Sequence, residues 1–367
     1  MVNIIISNAK NPFEMTFKVI IAIILCIQLS EEVIGATTRR HLDMIRLINV
    51  ANLSWTADMT PEASRGRKRF GTVLEDSALK LEVKEANLHI PNDQIPAAYN
   101  VTDVWPQCTR ISHPRNQGEC RSDWAVTAAS VLTDRICIYL WGLFNQPLSG
   151  FHVLTCCTQC GDGCSSGSAV AAWQFFQTAG VVTGGDRHSQ IGCLPYQLDP
   201  CDYRPTSSGG CSFSKPLNTP ACPLSCIDDR YNLTTDRIFV NRSYVIQSDV
   251  QEIQKEIIAN GPVQASMMVY EDFMYYTGKN EEVYYHYVGE LLGGMSVKII
   301  GWGSEAQSGT DYWLVVNSWG SSWGLGGLFR IRRGTDECGI ESNVIAGDPS
   351  LDHSHPFAMT SGRPQRT

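Results

Sequence analysis

The sequence predicts an α+β protein with two lobes, a helical half followed by a strand half. Three observations lead there. Helical periodicity marks Trp124–Leu140 and Ala169–Ala179 in the first half. After Tyr244 one more helical segment, Asp249–Asn260, gives way to strand-like runs at Val263–Tyr270, Ser296–Trp302, Tyr312–Val316 and Leu328–Arg332, separated by Gly and Asn. The length of 367 residues, with 43% hydrophobic and 18% charged residues, suits one large domain or two sharing a cleft.

The N-terminus reads as a secretory signal. Lys18 precedes the apolar run Val19–Leu29, which has the length of a signal core and is too short for a membrane span. Gly35 and Ala36 offer a cleavage point, so residues 1–36 are assigned to the signal, with Met15 as an alternative start. No other apolar stretch approaches about 18 residues. A net charge of −8 without a long basic run argues against nucleic acid or an anionic membrane as partner.

Cysteine usage agrees with an oxidising compartment. Of 14 cysteines, nine lie between Cys156 and Cys226. Cys26 would leave with the signal, and the odd number remaining implies at least one unpaired thiol. Sequons at Asn52, Asn100, Asn232 and Asn241 fit a glycosylated secretory product, either extracellular or lysosomal. His41–Asn52 has helical periodicity within a charged N-terminal stretch. The cluster Arg65–Arg69 reads either as a processing site or as a solvated patch, and Pro91 and Pro96 punctuate the junction that follows. Pro195–Pro223 has little periodicity and reads as a long loop, and residues 350–367 as a loose tail.

Three segments carry a family likeness: Arg115–Ala125 (RNQGECRSDWA), Gly293–Gly303 (GGMSVKIIGWG) and Asn317–Gly324 (NSWGSSWG). Together they resemble the papain family of cysteine peptidases. Cys156-Cys157, Cys160–Cys164, Cys193–Tyr196, the Cys201–Cys211 insert and Cys338–Ser342 narrow the likeness to the cathepsin B group. The resemblance implies a papain-like fold, with a helical left lobe and a β-barrel-like right lobe. It makes residues 37–95 a propeptide, which Arg46–Trp55 resembles, and residues 96–349 the peptidase domain. It pairs Cys108–Cys137, Cys120–Cys164, Cys156–Cys222, Cys157–Cys160, Cys193–Cys226 and Cys201–Cys211, leaving Cys338 over. Read without it, Cys157, Cys160 and Cys164 admit a zinc site, which an oxidising compartment disfavours.

The same comparison exposes departures. The family's nucleophilic cysteine sits at a helix N-terminus, where the dipole and a histidine hold it as a thiolate. Asp123 stands at that position and Met295 at the histidine's. An ionised, dipole-stabilised Asp123 is a weak nucleophile, and Met295 has no proton for a leaving amine. Gln117 matches the oxyanion donor, Asn317 the residue that orients the histidine, and Trp319 its shield. Ser122 is expected to turn about 100° away on the helix, and Ser296 to face away from Met295's side of its strand. His286 matches a histidine with no catalytic role.

The substrate-binding positions also differ. Arg121 replaces a glycine, and Ser166-Gly167 a glycine pair, so side chains are expected to crowd the cleft, with Arg121 placed to pair with Asp123. Gly294 is retained. Asn343 replaces the acidic residue of the second specificity pocket. The loop 195–223 corresponds to the occluding loop, with Tyr203 and Arg204 in place of its carboxylate-binding histidines. Asn116 and Ser322 replace the aspartates that latch it, so the latch is expected to be dismantled. The reading is a monomeric, cofactor-free homologue that binds proteins or peptides, cystatin-like inhibitors among them. The alternative is an active peptidase with altered or residual hydrolysis.

Overall fold

The computed structural model describes residues 38–60, 70–74, 80–84, 89–201 and 217–350. The signal segment 1–36, the cluster Arg65–Arg69, the loop residues Tyr203, Arg204 and Cys211, and the tail beyond Ser350 lie outside the described residues.

The helical lobe is built on α3, Asp123–Tyr139, preceded by α1 (residues 38–50) and the single turn α2, Val101–Val104. Every residue of α3 from Asp123 to Ile138 is buried, as expected for a helix enclosed on all sides. Two further helices, α4 (Gly150–Cys156) and α5 (Ala169–Thr178), begin at Ser149 and Ser168, whose hydroxyls accept from the amides of His152 and Ala171. The helices expected at 124–140 and 169–179 lie within one residue of these bounds. The seven-residue α4 carries too few turns to show a period.

The strand lobe comprises β3 (Phe239–Val245), α6 (Val250–Asn260, capped by Asp249), β4 (Val263–Tyr270), β5 (Val283–Tyr284), β6 (Leu291–Ser304), β7 (Asp311–Val316), β8 (Leu328–Arg332) and β9 (Val344–Ser350). Two short strands, β1 (Glu82–Val83) and β2 (Tyr99–Asn100), join its sheet. The order is β1-β3-β9-β4-β6-β7-β8-β5, with β2 on β6. The path is open, with β1 at one end and β5 at the other, so "barrel-like" describes this lobe only loosely. Around the sheet packs a core of Val263, Met267, Met295, Ile299, Trp313, Phe273 and Trp319.

The N-terminal segment clasps the strand lobe. Trp55 is buried between Tyr276 and Tyr284 and donates its indole N–H to the Tyr285 carbonyl at 3.0 Å. His41 meets the Tyr275 hydroxyl at 2.6 Å. Further on, Glu82–Val83 runs parallel to Tyr244–Val245, and Lys84 pairs with Glu256 at 2.6 Å.

Five disulfides are present: Cys108–Cys137, Cys120–Cys164, Cys156–Cys222, Cys157–Cys160 and Cys193–Cys226. Cys201 is also disulfide-bonded, and Cys338 is a buried free thiol. All three sulfurs of the zinc reading are therefore oxidised. Asn52, Asn232 and Asn241 are exposed, whereas Asn100 is half-buried and caps α2 by accepting from the Thr102 amide at 3.1 Å. Among the described residues no helix is long and apolar enough to cross a membrane.

Candidate functional site

The site lies where α3 of one lobe meets β6 of the other. Ser122 precedes α3 without capping it, because its hydroxyl is held by that of Tyr196 at 2.7 Å. Asp123, the first residue of the helix, is fully buried. One carboxylate oxygen accepts from the Gly71 amide at 2.9 Å. The other accepts from the Thr72 hydroxyl at 2.5 Å and the Ser296 amide at 3.0 Å.

This environment corrects two expectations. Asp123 is not the plainly ionised residue its helix position suggested: burial pushes its pKa up to about 6, against the hydrogen bonds that favour the charge. Its partners are Gly71, Thr72 and Ser296 rather than Arg121. Because the pKa is about 6 folded and 3.8 ordinarily, the folded state holds the extra proton between those values. The contribution to stability is complete below about pH 4 and is lost as pH rises through about 6. Denaturant midpoints of the native chain and Asp123→Asn, compared across this range, should show the native chain losing ground as pH rises. An opposite slope would contradict the assignment.

A strap formed by residues 70–74 fills the cleft. The Gly167 amide donates to the Gly71 carbonyl at 2.7 Å, and the Val73 amide to the Gly167 carbonyl at 3.0 Å. On the other wall the Thr72 amide donates to the Gly294 carbonyl at 3.1 Å. Glycine is required at 71, since a Cβ there would stand 1.9 Å from the Arg121 carbonyl oxygen. Phe70 packs against Trp319, with ring centroids 6.1 Å apart. The crowding expected from Arg121 and Ser166 therefore does not exclude a chain. The wall is made by backbone, and Gly167, which lies against the Trp124 ring, keeps both of its polar groups available.

Met295 is buried in the strand-lobe core, opposite Met267 in the β4–β6 register. Ser296 takes the strand face opposite Met295, as expected, and that face borders Asp123. Its amide reaches Asp123, and its hydroxyl donates to that of Thr72 at 2.9 Å and accepts from the Gln264 amide group at 3.0 Å. The strand face that Met295 does not use is turned toward α3, not away from the site.

Gln117 is fully buried. Its Nε2 donates to the Cys120 carbonyl at 2.8 Å, and its Oε1 accepts from the Ser318 hydroxyl at 2.6 Å. Asn317 is 2% exposed; its Oδ1 accepts from the Ser318 amide, and its Nδ2 is buried with no hydrogen-bond partner among the described residues. His286 is engaged elsewhere, by Asp272 at 3.1 Å and by stacking on Tyr270. Asn343 and Ser266 line a cavity of about 210 Å³ beside Val73 and Leu74 of the strap.

Asn116, expected to have lost an ionic latch, is bonded to the loop's backbone. Asn116 donates from Nδ2 to the Cys201 carbonyl at 2.8 Å and accepts the Cys201 amide at 3.0 Å. A neutral two-point clamp thus holds the start of the loop.

Residues 95–347 match the papain family of cysteine proteases. The chain belongs to that family. Cathepsin B-like cysteine proteinase 4 of Caenorhabditis elegans is 43% identical over 277 residues, covering 74% of this chain and 80% of that protein. A cathepsin B-like cysteine proteinase of Schistosoma japonicum is 37% identical over 311 residues, covering 83% and 90%. Among solved structures, procathepsin B S9 of Trypanosoma congolense superposes with a TM-score of 0.71 at 30% identity, over 84% of this chain and 97% of that one. This papain-family chain therefore has the cathepsin B-like fold.

Proposed function

We propose that this chain is a cathepsin B-like homologue that binds proteins or peptides without cleaving them. It reaches the extracellular space or the lysosome through the secretory pathway and retains residues 37–95 as a propeptide. The observation that carries this reading is the state of Asp123. Its carboxylate stands where the family's thiolate would, and three donors saturate it.

The neighbouring groups support the same reading. Attack on an amide by a buried, hydrogen-bonded carboxylate would give a high-energy anhydride. Met295 offers no proton to the leaving amine. The Gln117 Nε2 is spent on the Cys120 carbonyl rather than aimed at a developing oxyanion. Asn317 has no imidazole to orient, which agrees with its orphaned Nδ2.

The test is a digest of a peptide mixture by the purified chain, alongside titration with a cystatin-like inhibitor. Saturable inhibitor binding with no cleavage is expected. Cleavage that disappears in Asp123→Ala would overturn the proposal.

A further inference from the structure

The strap is more than a plug, because three successive positions of it are each read by a different feature of the cleft. Phe70 is buried against Trp319, and Gly293 lies alongside, where a Cβ would stand 3.0 Å from that of Phe70. Gly71 fits against the Arg121 carbonyl only because it has no Cβ. Thr72 is read by its hydroxyl, which meets Asp123 and Ser296 at 2.5 and 2.9 Å. Asp123 thus receives two donors from one segment, the Gly71 amide and the Thr72 hydroxyl. Valine at 72 would match threonine in shape and leave a fully buried carboxylate oxygen one donor short. The remaining bonds, from Gly167 and Gly294, go to backbone and are indifferent to sequence.

We propose that this cleft is a binding site for extended protein segments carrying an aromatic residue, a glycine and a hydroxyl residue in succession, with Asp123 as the residue that selects the hydroxyl. The chain's own Phe70-Gly71-Thr72 is the occupant in cis, and a partner segment of the same chemistry competes with it in trans. The inference rests on the non-catalytic reading and adds the ligand class to it. Ionised, above about pH 6, the Asp123 carboxylate only accepts, so it rewards an amide N–H and a hydroxyl together and penalises an aliphatic replacement.

The probe is a fluorescent peptide, Arg-Phe-Gly-Thr-Val-Leu-Glu, added to the full chain carrying Thr72→Val, whose own strap has lost its hydroxyl. Saturable binding is expected, tighter than to the native chain, where the intact strap competes. A peptide with valine for threonine should bind about ten- to a hundredfold more weakly. One with alanine for glycine should not bind measurably. With Asp123→Ala added to Thr72→Val, the threonine and valine peptides should bind alike.

Full-chain Gly71→Ala, whose own strap clashes with the Arg121 carbonyl, serves as a second receptor. Absence of binding to both receptors, or a threonine preference that survives loss of Asp123, overturns the proposal. Peptide mass after incubation separates the two readings. A cleaved peptide would overturn the non-catalytic function and leave the selectivity standing, whereas an intact, unbound peptide would overturn the selectivity alone.

Discussion

A chain carrying Asp123→Cys together with Met295→His is expected to hydrolyse peptides at a rate on the order of 10⁶ above the native protein, the loss typical of removing nucleophile and base together. A cysteine at 123 would stand at the N-terminus of the 17-residue α3, where the helix field favours a thiolate. A histidine at 295 is to supply the proton for the leaving amine, which requires its ring to turn out of the core that Met295 occupies. Asn317, which matches the family's orienting residue, has a buried amide nitrogen with no partner among the described residues. Gln117 must exchange its bond to the Cys120 carbonyl for one to the substrate oxyanion.

The double substitution also removes the carboxylate that anchors Gly71 and Thr72, so the strap loosens as the dyad is restored. Activity should then appear after a lag, with self-cleavage moving the N-terminus toward Ile95. Each single variant should remain inert, because a thiol without its base and a base without its thiol each lack half of the mechanism. Initial rates on a fluorogenic peptide, read beside N-terminal sequencing, check this. An inert double variant that has lost its N-terminal segment would show that more than these two side chains silences the protein.

Several parts of this molecule were legible before folding, and the reasons differ. The long helix α3 and the strands β4, β7 and β8 announced themselves through periodicity or unbroken apolar runs. β3 and β9 did not. Phe239–Val245 (FVNRSYV) mixes buried and exposed residues without clean alternation, and Val344–Ser350 (VIAGDPS) contains glycine, aspartate and proline. Their strand character comes from pairing with each other across some 100 residues, which no local pattern encodes.

Asp123 and Met295 were singled out in the sequence by the motifs that flank them. The environment of Asp123 was not. Its pKa depends on Gly71 and Thr72, roughly 50 residues upstream, and on a strand amide at Ser296. Nothing in residues 70–74 marks them as cleft-filling, since five residues without periodicity look like any linker. The neutral clamp of Asn116 on Cys201 was missed for a related reason. The sequence suggested only that charged partners were absent, and a side chain bonding to backbone leaves no second side chain to recognise.

Lys298→Met is expected to destabilise the protein by about 3–5 kcal/mol, the largest stability effect anticipated from one polar side chain here. Lys298 on β6 and Asp134 on α3 are almost fully buried and meet at 2.6 Å, with the Ser130 hydroxyl adding a bond at 2.9 Å. Burial works against both charges, pushing Asp134 up and Lys298 down, and their contact offsets that cost. Removing the cation leaves a buried carboxylate that already has one oxygen unpartnered among the described residues. Asp134→Leu with Lys298→Met removes both charges and should recover most of the loss, because well-packed apolar replacements of buried pairs are often neutral or better. Urea unfolding of the native chain and the two variants separates these outcomes, and a single variant within about 0.5 kcal/mol of the native chain would show the pair to be inconsequential. The pair has a functional side as well. Asp134 lies three turns along the helix that begins with Asp123, and Lys298 three residues beyond Met295 on its strand, so the bridge fixes how closely the two walls approach. Lys298→Met should therefore expose the strap to proteolysis, and the double variant should do so less, because the spacing of the lobes depends on a filled interface rather than on charge itself.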